Sequence, residues 1–473
     1  MLHIPILRHG RAYESVETFE LVHHATGATV ATVSQANSGL VARDIARMDD
    51  AILERFTVAE LMDMCRKAAE LFMTGALPLG DGRQTFDEYV TCLSATTGMP
   101  ISYCRANAKK IQRVLSDIGA VIGGLTRGFD LSILDRGYGH HGGGWLSYHR
   151  VGRVFGAVLP SNSPGVHSLW APAVALKVPV VLKPGREEPW TPYRIIESLA
   201  AAGVPREAFG FYPTDHAGAG EILRHCDRSM LFGGGPTVRP WLNDPRVEVH
   251  GPGYSKVLLG DDCVHDWRNY IDVMVGSIAA NGGRSCINAS AVWTPKHGRA
   301  IAEALADRLG AVRALPADDA EASIAAFGNV AAAEQISAVI DAGLREPGAI
   351  ELTADGRGGP RLVREGRCAY LLPTIVWCED WKHPLANHEF LFPYASVVEC
   401  PTVEMADAIG PSLVVSAITR DKAFAASLMA SAKVERLNVG AIPTYQISWD
   451  QPHEGNLFEH LYRQRAFQIE PAA

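Results

Sequence analysis

The sequence has no CxxC pair, no GxGxxG after any of the buried-type strands it predicts and no apolar run near the roughly 18 residues that a membrane span requires. Its nine cysteines are an odd, scattered set. That excludes a zinc knuckle or a fully paired disulfide framework, and it fits free thiols in a reducing compartment. Excess basic charge is missing too. The net charge of -8 favours solubility and excludes nucleic acid or an anionic membrane as the main partner. Residues 1–8 are too few and too interrupted for a signal peptide, so a cytoplasmic location is expected. There is no internal repeat and no low-complexity linker. What is present is ordinary for a globular chain, with 47% apolar and 20% charged residues. At 473 residues the chain exceeds one hydrophobic core, which predicts two or three domains.

The first 50 residues read as short strands and turns, and apolar residues at helical spacing then predict helices over 58–73 and 105–122. Gly139-His140-His141-Gly142 breaks regular structure. Its two histidines have no third ligand at metal spacing, so a turn in an extended arm is expected. From Arg153 the pattern becomes strand–loop–helix, with buried-type strands at 154–159, 178–182, 209–212 and 229–232. Helices are expected at 167–176 and 192–202, and another ends near Cys226. Alternation of this length predicts an α/β fold with a parallel sheet and helices on both faces. Ligands in such sheets lie at the carboxyl ends of the strands. The triplet Gly233-Gly234-Gly235 falls at one such end, where it can admit a phosphate or simply turn the chain. A second α/β unit follows, with helices expected at 299–309, 319–327, 331–344 and 421–433 and strands at 395–399 and 411–419. The tail from Leu437 holds Trp449, Phe458, Tyr462 and Phe467, a composition expected of a docked segment.

Between the two units lies Asn281-Gly282-Gly283-Arg284-Ser285-Cys286. It follows a segment with Trp267, Ile271, Met274 and Ile278 on one helical face and precedes a predicted strand at 289–294. The glycines let the chain turn sharply, and a thiol on such a turn can sit at the floor of a cleft. One cysteine among nine is, alone, better read as a small buried hydrophobe. Its company elsewhere in the chain raises Cys286 above that reading.

These motifs, in this order, resemble the aldehyde dehydrogenase superfamily from about residue 150 onward. Pro160-Ser161-Asn162-Ser163-Pro164 is similar to the family's oxyanion-hole loop and Val181-Leu182-Lys183-Pro184 to its ribose-binding strand end. Phe232-Gly233-Gly234 is similar to the turn under the pyrophosphate, residues 281–286 to the nucleophile turn, and Glu389-Phe390-Leu391-Phe392-Pro393 to the motif that holds the nicotinamide ribose. The resemblance implies an aldehyde dehydrogenase-like fold: a Rossmann-type cofactor domain (1–137 and 153–258), an α/β catalytic domain (259–436), and a β-strand oligomerisation arm with tail (138–152 and 437–473). It implies Cys286 as nucleophile, with the Asn162 amide and the Cys286 N–H as oxyanion donors. Pro160, Ser161, Lys183, Gly185, Arg186, Gly233, Gly234, Glu389 and Phe392 are implied around NAD(P), and a homodimer or homotetramer is the expected assembly. No metal is implied.

Three positions depart from the family's pattern. The glutamate that activates water in hydrolytic members is replaced, in Val249-His250-Gly251-Pro252-Gly253, by His250, with Glu248 two residues earlier. A thioester without a carboxylate beside it awaits a better nucleophile than water. In this the chain is nearest in character to the CoA-acylating members, which interconvert acyl-CoA and aldehyde with NAD(P)(H), and CoA is the expected co-substrate. The alternatives are a hydrolytic dehydrogenase with His250 as base and a non-catalytic paralogue that keeps the fold. Arg186 stands where NAD-specific members carry a glutamate, which inclines the expectation to NADP, although Glu187 and Glu188 follow at once. Arg239 stands near a second family glycine.

Overall fold

A computed structural model describes residues 2–470. Its first sheet is built from the short apolar runs, ordered 247–250, 228–232, 155–158, 180–183 and 209–211, all parallel. The central strand Phe155–Val158 is buried at every residue, as a strand covered on both faces must be. An antiparallel hairpin, Ile6–Arg8 with Arg11–Tyr13, closes the edge beside Phe209–Phe211. The opening residues therefore complete the sheet.

The second sheet runs 349–351, 374–378, 394–399, 291–294, 256–259, 412–418 and 434–439. All neighbours are parallel except Ala349–Glu351. The expected domain boundary at 258 thus falls inside Lys256–Leu259, and Val434–Val439 is the sheet's edge, so the tail begins after it. A third, smaller sheet joins the hairpin Tyr138–His141 and Gly144–Arg150 to Tyr462–Gln464. His140 stacks on Trp145 at 3.8 Å, and among the described residues no group of three His, Cys, Asp or Glu can hold a metal.

Two expected helices differ. The one over 105–122 is two helices, Ile101–Ser116 and Ile118–Leu125, broken at Asp117. Gly124 in the second lets the backbone of Asp450 approach so closely that a Cβ would lie 2.2 Å from its carbonyl oxygen. The helix over 319–327 does not form. Its backbone pairs elsewhere, Ala326 N to Gly98 O and Phe327 N to Ala369 O, while Ile324 and Ala326 pack with Cys368 and Tyr370. Tertiary partners outweighed alanine's local preference. Side chains cap the helix Val58–Thr74, where Thr57 and Glu60 form a reciprocal box at the start, and it buries Leu61, Cys65 and Phe72.

Candidate active site

The helix Ile271–Ala279 ends in a turn where Asn281, Gly282 and Gly283 have φ of 53°, 66° and 66°. Gly283 is required on two counts. Its φ is left-handed, and a Cβ would lie 2.4 Å from the Phe392 carbonyl carbon. Side chains then fix the turn: the Asn281 amide donates to Ser163 Oγ (3.2 Å) and Ser285 Oγ (3.0 Å), and Asn107 donates to Asn281 Oδ1 (2.8 Å). Asn288 Oδ1 accepts from Ser285 N at 2.9 Å. All nine cysteines are free, and Cys286 alone is not fully buried. Burial pushes its thiol up to about 12; the carboxylates of Glu454 and Glu389 add to the rise and Lys110 opposes it. The resting sulfur is therefore a thiol that needs a base or a nearby positive charge to become a nucleophile.

The cavity at Cys286 is only 40 Å³, walled by Asn162, Phe232, Lys110, His453 and Glu454 among others. Asn162 Nδ2 donates one hydrogen to Arg284 O at 2.7 Å, which ties the loop to the nucleophile turn and leaves its second hydrogen for another acceptor. His250 stacks on Phe232 at 4.4 Å, with Nδ1 2.5 Å from Glu454 Oε2. Its Nε2 approaches Glu248 Oε1 at 3.2 Å, near enough for an ion pair but without hydrogen-bond alignment. Burial works against a charged imidazole here, yet the two carboxylates outweigh it and lift His250 to about 9. Near neutrality His250 is thus an imidazolium clamped between carboxylates. A proton acceptor it is not; the carboxylate that lines this cavity is that of Glu454.

The positions expected around the cofactor lie along one edge of the first sheet. Val158 is in register with both Lys183 and Leu231, and Phe232 with His250. Lys183, the loop at Pro160 and Ser161, Gly233 and His250 therefore sit side by side at the carboxyl ends. Gly185 allows the Pro160 and Ser161 backbone to close in, since a Cβ there would meet Pro160 O at 2.5 Å. Lys183 is lowered by burial, with Glu187 opposing. Around Gly234 and Gly235 there is open space, and the helix that follows is a single turn, Gly235–Val238. A desolvated cation and an open glycine turn at one edge fit an anionic nucleotide.

Arg186 lies over the Phe19 ring at 4.5 Å, in a 470 Å³ cleft that Ser161, Glu20, Thr97, Arg284 and Arg367 also line. Glu188 is buried, bonded to His167 Nε2 (2.8 Å) and Thr191 N (2.9 Å), and is not free to meet a ribose. Glu389 accepts from Tyr254 N at 2.5 Å, and burial raises it to about 7. The Phe392 ring sits in the second domain's core with Phe390 and Tyr394, away from the sheet edge, while its backbone supports Gly283.

Glu454 and Lys110 were not legible as site residues. Glu454 belongs to a tail whose fold is fixed by docking, and Lys110 to an amphipathic helix where a lysine reads as solvated. The only signal was the cluster Pro452-His453-Glu454-Gly455 in an otherwise aromatic tail.

The sequence profile of the aldehyde dehydrogenase family matches residues 11–456. A curated Staphylococcus aureus relative, provisionally described as an aldehyde dehydrogenase, is 25% identical over 404 residues, covering 81% of this chain and 78% of its own. The structure of an NAD-dependent aldehyde dehydrogenase from Sinorhizobium meliloti superposes with a TM-score of 0.79 at 19% identity, over 100% of this chain and 96% of that one. An indole-3-acetaldehyde dehydrogenase from P. syringae, solved with NAD+, superposes at 0.80 and 18% identity, over 98% and 96%. With the nucleophile turn, the strand-end lysine and both sheets in place, this chain belongs to the aldehyde dehydrogenase family.

Proposed function

We propose that the protein is an NAD(P)-dependent oxidoreductase that oxidises an aldehyde through a thioester on Cys286. The observation that carries this reading is one cavity lined together by the Cys286 thiol, the Asn162 amide and the Glu454 carboxylate. Glu454 takes the thiol proton as sulfur attacks the carbonyl carbon, and the oxyanion is met by the free Asn162 hydrogen and the Cys286 N–H. Hydride then leaves as the carbonyl re-forms, leaving the acyl group on Cys286. A bound nicotinamide supplies the hydride acceptor. The Lys183 ammonium and the turn at Gly233 would hold its nucleotide, and the relatives solved with NAD+ support that choice. Because Arg186 is engaged with Phe19, the reading is NAD(P) without preference for NADP.

Once Glu454 has passed the thiol proton to solvent it can serve as base again, and release of the acyl group by water then gives a carboxylic acid and the Cys286 thiol. The second reading, transfer to CoA, is favoured by the lack of a carboxylate at position 250 in the turn. Purified protein with aldehydes, either nicotinamide, and CoA present or absent separates the two: free acid formed without CoA supports hydrolysis, and acyl-CoA as sole product supports transfer. Mass spectrometry should find the trapped acyl group on the Cys286 peptide. Turnover that persists in Cys286→Ala would overturn the proposal.

A further inference from the structure

Beside the small cavity at Cys286 opens a 660 Å³ cleft, and the two share Lys110, Ser285 and Ile287. This cleft is the way to the thiol from the side of the helix Ile101–Ser116. Its lining is one-sided in charge. Lys109, Lys110 and Arg113 face it, and no Asp or Glu does. Tyr103, Tyr445 and Trp449 supply apolar walls between the cations.

Lys110 is the telling member. It stands at the junction of cleft and cavity, against the loop that carries Asn162: a Cβ on Gly165 would meet its Nζ at 3.3 Å. Among the described residues no carboxylate forms an ion pair with it, and Glu454, which lines the same small cavity, is bonded to His250. The groups that act on it are the Cys286 sulfur and the Arg436 guanidinium, and burial lowers it to about 8. Arg436 adds to the imbalance, for its Nη1 is buried without a partner while its Nη2 donates to Gln446 O on the cleft wall. Lys110 and Arg436 are half-buried and alike in charge, so an anion that enters the cleft would relieve their mutual repulsion.

We infer that the aldehyde carries its own anionic group, a carboxylate or a phosphate, and that Lys110 is the counter-ion that receives it. Charge complementarity of this kind selects substrates by leaving a neutral analogue opposite an unpaired cation. The inference rests on the reading of Cys286 as the group that attacks the aldehyde.

The test compares matched pairs with NAD+ and NADP+: glutarate semialdehyde against pentanal, and glyceraldehyde phosphate against glyceraldehyde. At least one anionic member should show a kcat/KM about tenfold or more above its neutral partner, chiefly through KM, and the better of the two identifies carboxylate or phosphate. Lys110→Gln should drive that ratio towards one, and Lys110→Arg should retain it. Equal use of neutral and anionic aldehydes, or a ratio that Lys110→Gln does not move, overturns the inference and leaves the thioester reading intact. A second measurement does not need turnover: alkylation of Cys286 by iodoacetamide, with glutarate, glutaramide or CoA added. Protection by glutarate and not by glutaramide supports the inference even if no aldehyde is oxidised, in which case only the proposed reaction falls. Equal protection by glutarate and glutaramide, or protection by CoA alone, overturns it.

Discussion

Under the proposed reading, Glu454, held by His250, takes the place of the glutamate that activates water in hydrolytic members of the family. Glu454 Oε2 is 2.5 Å from His250 Nδ1, so the imidazolium orients the carboxylate. Glu454→Gln should slow release of the acyl group roughly a hundredfold, the usual scale for losing a general base. Because Glu454 is also the base proposed for the Cys286 thiol, rapid mixing should show reduced nicotinamide forming slowly in the first turnover as well as in the steady state. His250 also ties stability to pH. Its folded value near 9 lies above the unfolded 6.5, because the carboxylates outweigh burial. The stabilisation is therefore complete below about pH 6.5 and is lost as pH rises through 9. At about 1.4 kcal/mol per pH unit, it amounts to about 3 kcal/mol. Denaturant unfolding of wild type and His250→Gln should show their stability gap narrowing by that order between about pH 5.5 and 10, one unit outside the window at either end.

At the scale of elements, the nucleophile turn works because three segments meet at Gly283. The helix Ile271–Ala279 delivers it, the 162–163 loop bonds to it, and the Phe392-Pro393 backbone closes behind it. Gly283→Ala must place a Cβ 2.4 Å from Phe392 C in a left-handed conformation. The expected cost is about 2–4 kcal/mol by urea unfolding, with loss of Cys286 reactivity. Gly234→Ala, with nothing within 4 Å and an ordinary φ of -71°, should cost under about 1 kcal/mol and serves as control. Gly253 is a comparable pinch on the other side, where a Cβ would lie 2.0 Å from Cys286 O.

Across the whole molecule, the tail decides whether the site is complete. Residues 449–455 cross from the second sheet to the first and bring Glu454 to the cavity, and Tyr462–Gln464 then joins the hairpin arm. Phe467 stacks with Tyr138 at 4.7 Å and meets Trp145 at 5.6 Å, and each of those two is 38% exposed. An aromatic cluster left open on a three-stranded edge is suited to a second copy of the chain. Light scattering should give a dimer or tetramer, and ending the chain after Tyr462 should shift it towards monomer while lowering the unfolding temperature by several degrees.

Local patterns in the sequence determined the strands, most helices, the nucleophile turn and the row of strand-end residues, because burial periodicity and glycine conformations act within a few residues. Cys286, Asn162, Lys183 and the turn at Gly233 are all of that kind. Glu454 opposite His250, Lys110 at the throat of the cleft, Glu188 withdrawn to a helix cap and the missing helix at 319–327 are not. Each depends on a partner between 21 and 228 residues away, and only packing of the two sheets and the returning tail brings such partners together. Charge and chemistry could be read from the chain; which carboxylate faces the sulfur was decided by the tertiary structure.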